Sequence, residues 1–213
     1  MTDRAIDSSD LYLGDRIVVR YRLDGRRLTD VTGLLRDAGD PLVIEGTGPK
    51  ELGECISVSR REVTSVRLLS YMTVRNSEIR TVAESLARAA TATFHLESGW
   101  LLRADAIAPL DNSALPVELG ARADGVSLIP ISRWYADRGL PTILALPERL
   151  IPDVHLVGTR VGPVMHVLVK PDNPAEAVAV DATDRASGEN LRASGYRLHH
   201  VLRHLRLDTY GDG

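Results

Sequence analysis

Three histidines crowd the end of the chain, His199, His200 and His204, and closely spaced imidazoles are suited to holding a metal or moving a proton. Their spacing argues against the metal. On a strand, His200 and His204 share a face but stand roughly 13 Å apart at about 3.3 Å per residue. On a helix they would form an i, i+4 ligand pair, yet no Glu-bearing zinc motif accompanies them, so no metal site is expected. Ser113 has no His and Asp at informative spacing, which leaves a hydrolase triad unsupported. Glu97, Asp105, Asp111 and Glu118 stand near candidate strand ends, where one carboxylate could serve as a general base toward an amine. The sequence does not choose among them. Cys55, the single cysteine, excludes an internal disulfide and a cysteine-based zinc site. Its alternation with Ile56, Ser57 and Val58 makes it a small apolar filler. Arg16, Arg20, Arg22, Arg26 and Arg27 form an outward stripe, and a basic face on a small barrel can hold RNA, DNA or a peptide. Arg192, Arg197, Arg203 and Arg206 make a second basic segment. With 26 basic against 29 acidic residues the net charge is −3, so bulk charge attracts no polyanion and both stripes read first as solvated faces.

The elements that must carry these groups follow from hydrophobic period. From Leu13 the period is two: Ile17, Val19, Tyr21 and Leu23 share one face, with Arg20 and Arg22 on the other. Asp24-Gly25 makes a tight turn. A second strand spans 28–35 with a bulge or kink at Gly33, and short strands follow at 42–45, 55–58 and 66–69, with a 3₁₀ turn over 59–63. Five short antiparallel strands in under 65 residues must curl to cover one apolar face. At Arg75 the period changes to that of a helix running to Ala90, with Ser77 as its cap. Strands are expected at 93–97, 100–104, 112–117, 142–146 and 164–170. A helix over 127–138 should hold Pro130 in its first turn and end at Gly139. Trp100, Trp134 and Tyr135 are read as core or core-edge anchors before any role in stacking on a substrate. The stretch 171–194 is polar with weak periodicity and receives no element, and 195–207 reads as a final strand.

The balance of 44% hydrophobic and 26% charged residues is that of a globular protein. No apolar run approaches the roughly 18 residues of a membrane span. With no apolar leader at the start, the chain reads as cytoplasmic and without a membrane partner.

Several stretches resemble a known group. Gly99-Trp100-Leu101-Leu102-Arg103, Asn112-Ser113-Ala114-Leu115-Pro116 and Trp134-Tyr135-Ala136-Asp137-Arg138-Gly139-Leu140-Pro141 look like landmarks of an actinobacterial GNAT-superfamily N-acetyltransferase group. That group carries a Src-homology-3-like barrel in front of the acetyltransferase region. The strand 14–22, the segment Leu28-Thr29-Asp30-Val31-Thr32-Gly33 and the closing Gly195-Tyr196-Arg197-Leu198-His199-His200 resemble the same group. The likeness implies an α+β fold: a flexible tail (1–12), a five-stranded barrel (13–72), an incomplete GNAT-like α+β domain (75–207) and a short tail (208–213).

It also implies acetyl-coenzyme A as cofactor and an amine as substrate. Family members are longer, and the missing length lies where the coenzyme site belongs. The pattern expected there, Arg/Gln-x-x-Gly-x-Gly/Ala, starts a helix whose free amides bind the diphosphate. Val178-Ala179-Val180-Asp181 followed by Arg185-Ala186-Ser187-Gly188-Glu189-Asn190 is its nearest remnant. The resemblance thus makes Arg185, Ser187 and Gly188 the candidate coenzyme contacts, with Asn190 at the last small position. Val167-Leu168-Val169-Lys170-Pro171-Asp172-Asn173-Pro174 resembles a strand-plus-asparagine element that in the superfamily comes after the phosphate turn, not before it. Two functions stay open: a shortened N-acetyltransferase with a degraded or missing coenzyme site, and a non-catalytic module that binds protein or nucleic acid through its basic barrel face.

Overall fold

The protein is described from a computed structural model covering residues 11–49, 51–90, 93–151 and 156–208. Most of the tail expected at 1–12 and of that at 208–213 lies outside those residues. Leu11 and Tyr12, placed within the flexible tail on sequence, are in fact buried. The fold is α+β, and the chain divides into two compact units: Met1–Thr73 with Arg185–Leu198, and Val74–Asp184 with His199–Gly213.

The first unit is a curled antiparallel half-barrel of β1 (Arg16–Leu23), β2 (Arg27–Asp37), β3 (Leu42–Gly46), β4 (Cys55–Val58) and β5 (Val63–Leu69), in the order β4-β3-β2-β1-β5. Period-two alternation sends Ile17 and Val19 of β1, Val31 and Leu35 of β2, and Leu42 and Ile44 of β3 into one core. Each such aliphatic side chain contributes about 1.5–3 kcal/mol by leaving water. Gly33 is not a bulge. It pairs in register with Ile17 and Gly46, and the register breaks later, between Leu35 and Asp37. A side chain at Gly33 would run into the Glu45 carbonyl, so the glycine permits close approach of β3. Cys55 is exposed rather than an internal filler, because Ile56 and Val58 take the inward positions of β4 and leave Cys55 the outward one.

The second unit is a mixed sheet with a helix on each face. β6 (Thr93–Glu97), β7 (Trp100–Ala104) and β8 (Leu115–Pro116) form one antiparallel part, in the order β6-β7-β8. β9 (Ile143–Pro147), β10 (Gly158–Lys170), β11 (Asn173–Asp181) and β12 (Arg197–Leu207) form the other, in the order β11-β10-β12-β9. A parallel bridge from Ala114 to Leu144 joins the two, with Ala114 N–H donating to the Ile143 carbonyl at 2.8 Å and Ala145 N–H to the Ala114 carbonyl at 2.8 Å. Alternation then assigns the helices. Trp100 and Leu102 face α2 (Gly125–Ala136), packing on Leu128, Ile131 and Tyr135. Leu101 points the other way, to Ala83 and Ala87 of α1 (Asn76–Ala90).

Both helix starts differ from expectation. The first turn of α1 follows Arg75, whose N–H donates to the Glu78 carboxylate at 2.6 Å, the reciprocal half of a capping box; Ser77 lies inside the helix. α2 starts at Gly125, capped by Asp124, so Pro130 sits in the second turn. The carbonyl it leaves without a partner is that of exposed Val126, which water can reach. The weakly periodic stretch 171–194 contains β11 and a third helix, α3 (Arg185–Ala193).

Candidate functional site

The stretch read from sequence as the nearest match to the coenzyme pattern takes the form of strand, turn and helix. β11 ends at Asp181, whose carboxylate accepts from Thr183 N–H at 2.8 Å and Thr183 Oγ1 at 2.8 Å, and α3 begins at Arg185. The side chains then point to packing. Gly188 is the buried residue of α3, and a Cβ there would lie 2.5 Å from Tyr12 Oη and 2.6 Å from Tyr12 Cζ. Arg185 donates to the Leu11 carbonyl at 2.8 Å and to Glu189 at 2.8 Å, with its guanidinium 4.6 Å from the Tyr12 ring centre. Arg192 stacks on the same ring at 3.8 Å and grips the buried Asp15 with two bonds, 2.8 and 3.2 Å. Burial pushes the Asp15 carboxyl up from its ordinary range, and Arg192 and the Tyr12 N–H pull it back. Ser187 is half-buried on the same helix. Arg185, Ser187 and Gly188 are therefore together on α3, but the glycine surface that would admit a diphosphate faces Tyr12.

The same spacing occurs a second time, at Arg122-Ala123-Asp124-Gly125-Val126-Ser127, where the chain crosses from β8 to its parallel neighbour β9 through α2. The sequence reading missed it. Here the helix start already holds an anion of its own: Asp124 accepts from Ser127 N–H at 2.8 Å and from Ser127 Oγ at 3.0 Å. Those bonds hold its carboxyl below the usual range.

The three landmark stretches converge on one buried polar node. Arg103 of β7, 5% exposed, donates from Nε to the Ser113 carbonyl at 3.1 Å and from Nη2 to Ser113 Oγ at 2.6 Å. Ser113 Oγ in turn donates to the Leu110 carbonyl at 2.7 Å. Asn112 clasps the backbone of Ala106 through both ends of its amide. Tyr135 Oη accepts from the Arg103 N–H at 3.1 Å, and burial pushes its phenol up to about 12. Burial also lowers the Arg103 pKa, opposed by Asp111 at 3.9 Å. A serine this committed and fully buried cannot act as a nucleophile. The node fixes the loop 105–113 to the sheet. Its sequence signal was an arginine inside the apolar run of β7.

His199, His200 and His204 are all buried. His199 Nδ1 lies 2.8 Å from His200 Nδ1, so one ring donates and the other accepts. Burial lowers His200 to about 3, helped by His199, and His204 to about 4, helped by Arg103. His199 is lowered by burial and raised by Glu78. These rings are neutral core groups. Among the described residues no group of three or more His, Cys, Asp or Glu side chains could hold a metal. Of the candidate bases, Asp105 accepts from Thr93 Oγ1 at 2.7 Å, Glu97 from Ser98 Oγ at 2.8 Å, Asp111 faces Arg103, and Glu118 is exposed. They do not form a single site. Trp100 and Tyr135 are fully buried, whereas Trp134 is half-buried, with Arg138 at 3.8 Å from its ring centre. No helix among the described residues is long and apolar enough to cross a membrane.

A protein of Mycobacterium tuberculosis called probable histone acetyltransferase Rv0428c is 37% identical over 145 residues, which are 66% of this chain and 46% of that protein. The match thus takes in about half the relative's length. No solved structure matches. The family model described as probable histone acetyltransferase Rv0428c C-terminal matches residues 76–208, from the first turn of α1 past the end of β12, and the chain belongs to that family.

Proposed function

We propose that this chain carries the scaffold of an acetyl-coenzyme A-dependent GNAT-type N-acetyltransferase, behind a Src-homology-3-like barrel, with a degraded coenzyme site. Family membership and the relative's name support the activity class, and with it an amine acceptor. The parallel β8–β9 crossover supports the GNAT scaffold, since ligands of α/β sheets bind beside such crossovers. When bound, the coenzyme supplies an acyl group activated as a thioester. The observation that carries the degradation is Tyr12 seated on Gly188, where a diphosphate would need bare backbone. The second helix start with the right spacing is filled by Asp124, a carboxylate that repels phosphate.

The test is a calorimetric titration and a thermal-shift scan of the full chain with acetyl-coenzyme A. A ligand with Kd near 100 μM, given at about 10 mM, stabilises a protein by about 2.7 kcal/mol. We expect neither heat nor shift; saturable binding would refute the degraded site. In a second reading the same chain is a non-catalytic binding module. The exposed arginines of β1 favour that reading.

A further inference from the structure

We propose that the outer face of the half-barrel binds the phosphate backbone of duplex nucleic acid without reading its sequence. The proposal rests on the binding-module reading and is independent of the coenzyme site. Arg16, Arg20 and Arg22 lie along the outward side of β1, with about 13 Å from Arg16 to Arg20 and about 6.7 Å from Arg20 to Arg22. The register adds a fourth cation that sequence spacing could not show: Arg67 of β5 lies opposite Val18, between Arg16 and Arg20. Arg26 stands beyond Arg22 in the exposed β1–β2 turn, whereas Arg27, paired with Leu23, falls on the other face of the sheet.

Charge balance on this face favours an anionic partner, because four arginines in one row share a single carboxylate. Some surface arginines elsewhere are paired with carboxylates, as Arg36 is with Glu45, Arg88 with Glu84 and Arg203 with Glu148. On the β1 face Asp30 holds Arg20 at 2.8 Å. The cross-strand neighbours of Arg16 are Leu34 and Leu69, and that of Arg22 on β2 is Leu28. Among the described residues no carboxylate is paired with Arg16, Arg22 or Arg67. A row of guanidinium forks suits a run of phosphates, each of which it can meet with two parallel bonds. The face has no aromatic residue at its outward positions in β1, β2 or β5, so it offers no stacking platform for unpaired bases. That favours a duplex contacted through its backbone over a single strand.

Fluorescence anisotropy of the full chain with a labelled mixed-sequence duplex of about 20 base pairs, titrated across salt, tests this. Three unpaired arginines predict a log–log salt slope of about −3, at about −0.9 per phosphate contacted. The variant Arg16→Ala/Arg22→Ala/Arg67→Ala changes exposed or half-exposed side chains; with an unchanged circular dichroism spectrum it should bind at least about tenfold more weakly and lose most of that slope. Arg88→Ala should bind like the parent. Absence of binding at low salt, a slope near zero, equal binding by the triple variant, or tighter binding of poly-glutamate than of the duplex would each overturn the proposal. Acetyl-coenzyme A titrations bear on the other reading alone, so the two fail separately.

Discussion

At the scale of single residues, Gly188 and Tyr12 illustrate how one pattern can serve two ends. A glycine three positions into a helix could equally leave backbone bare for a phosphate or make room for a ring, and the ring is what stands there. Gly188→Ala should therefore destabilise the protein despite alanine's better helix propensity, since forcing a methyl into a filled space typically costs about 1–3 kcal/mol. Urea unfolding of Gly188→Ala, Tyr12→Ala and the double variant would read the coupling. The alanine at 188 should cost far less once the ring is gone, and additive costs would mean that the two residues do not touch. Cys55 teaches a related point: alternation in β4 is visible in sequence, but its phase is set by which neighbours the core of β2 and β3 accepts.

Among the elements, β12 carries a pH dependence of its own. His200 and His204 have folded values of about 3 and about 4 against an ordinary 6.5. A depressed folded value means that the neutral ring is favoured by folding. The contribution is complete above about pH 6.5 and is lost as pH falls toward 3–4. Between pH 6.5 and 5 the histidine contribution should fall by on the order of 1.5–2 kcal/mol per ring. Urea denaturation at pH 7, 6 and 5 should show it, with a shallower slope in His204→Leu; a flat profile in the parent would contradict the burial assignment. That β12 is a strand was legible from its alternating apolar residues. That its histidines are internal was not, because burial depends on what distant segments lay over each face of the strand, and β12 is a central strand only once β9 and β10 pair with it. The helix starts were legible only to within two residues: Ser77 offered an attractive cap and Arg75 prevailed, and the helix expected from Ser127 begins after Asp124.

For the whole molecule, the notable feature is that the first unit is discontinuous in sequence, with α3 returning to pack on Leu11–Asp15. Arg192 reaches Asp15 across 177 positions. Removing one partner of such a buried pair leaves a stranded charge, and Arg192→Met should cost about 3–5 kcal/mol. Adding Asp15→Leu should recover much of that loss, a result readable from the urea midpoint. If Arg192→Met alone is neutral, the clamp is not a structural bond. No local property of 171–194 announces this return, because α3 buries little on its own and depends on Tyr12 and Asp15 for its partners.

By itself the sequence determined the strands of the half-barrel, the helices α1 and α2, and the three landmark stretches with the acetyltransferase-like family they indicate, because hydrophobic period and turn residues act over a few positions. Tertiary structure decided what those features touch. It brought Arg103, Ser113 and Tyr135 into one buried node, turned three histidines inward, set Arg67 between Arg16 and Arg20, and placed Tyr12 over Gly188. Each of these depends on register or on contacts between distant segments, where the energy comes from partners that no local window of sequence contains.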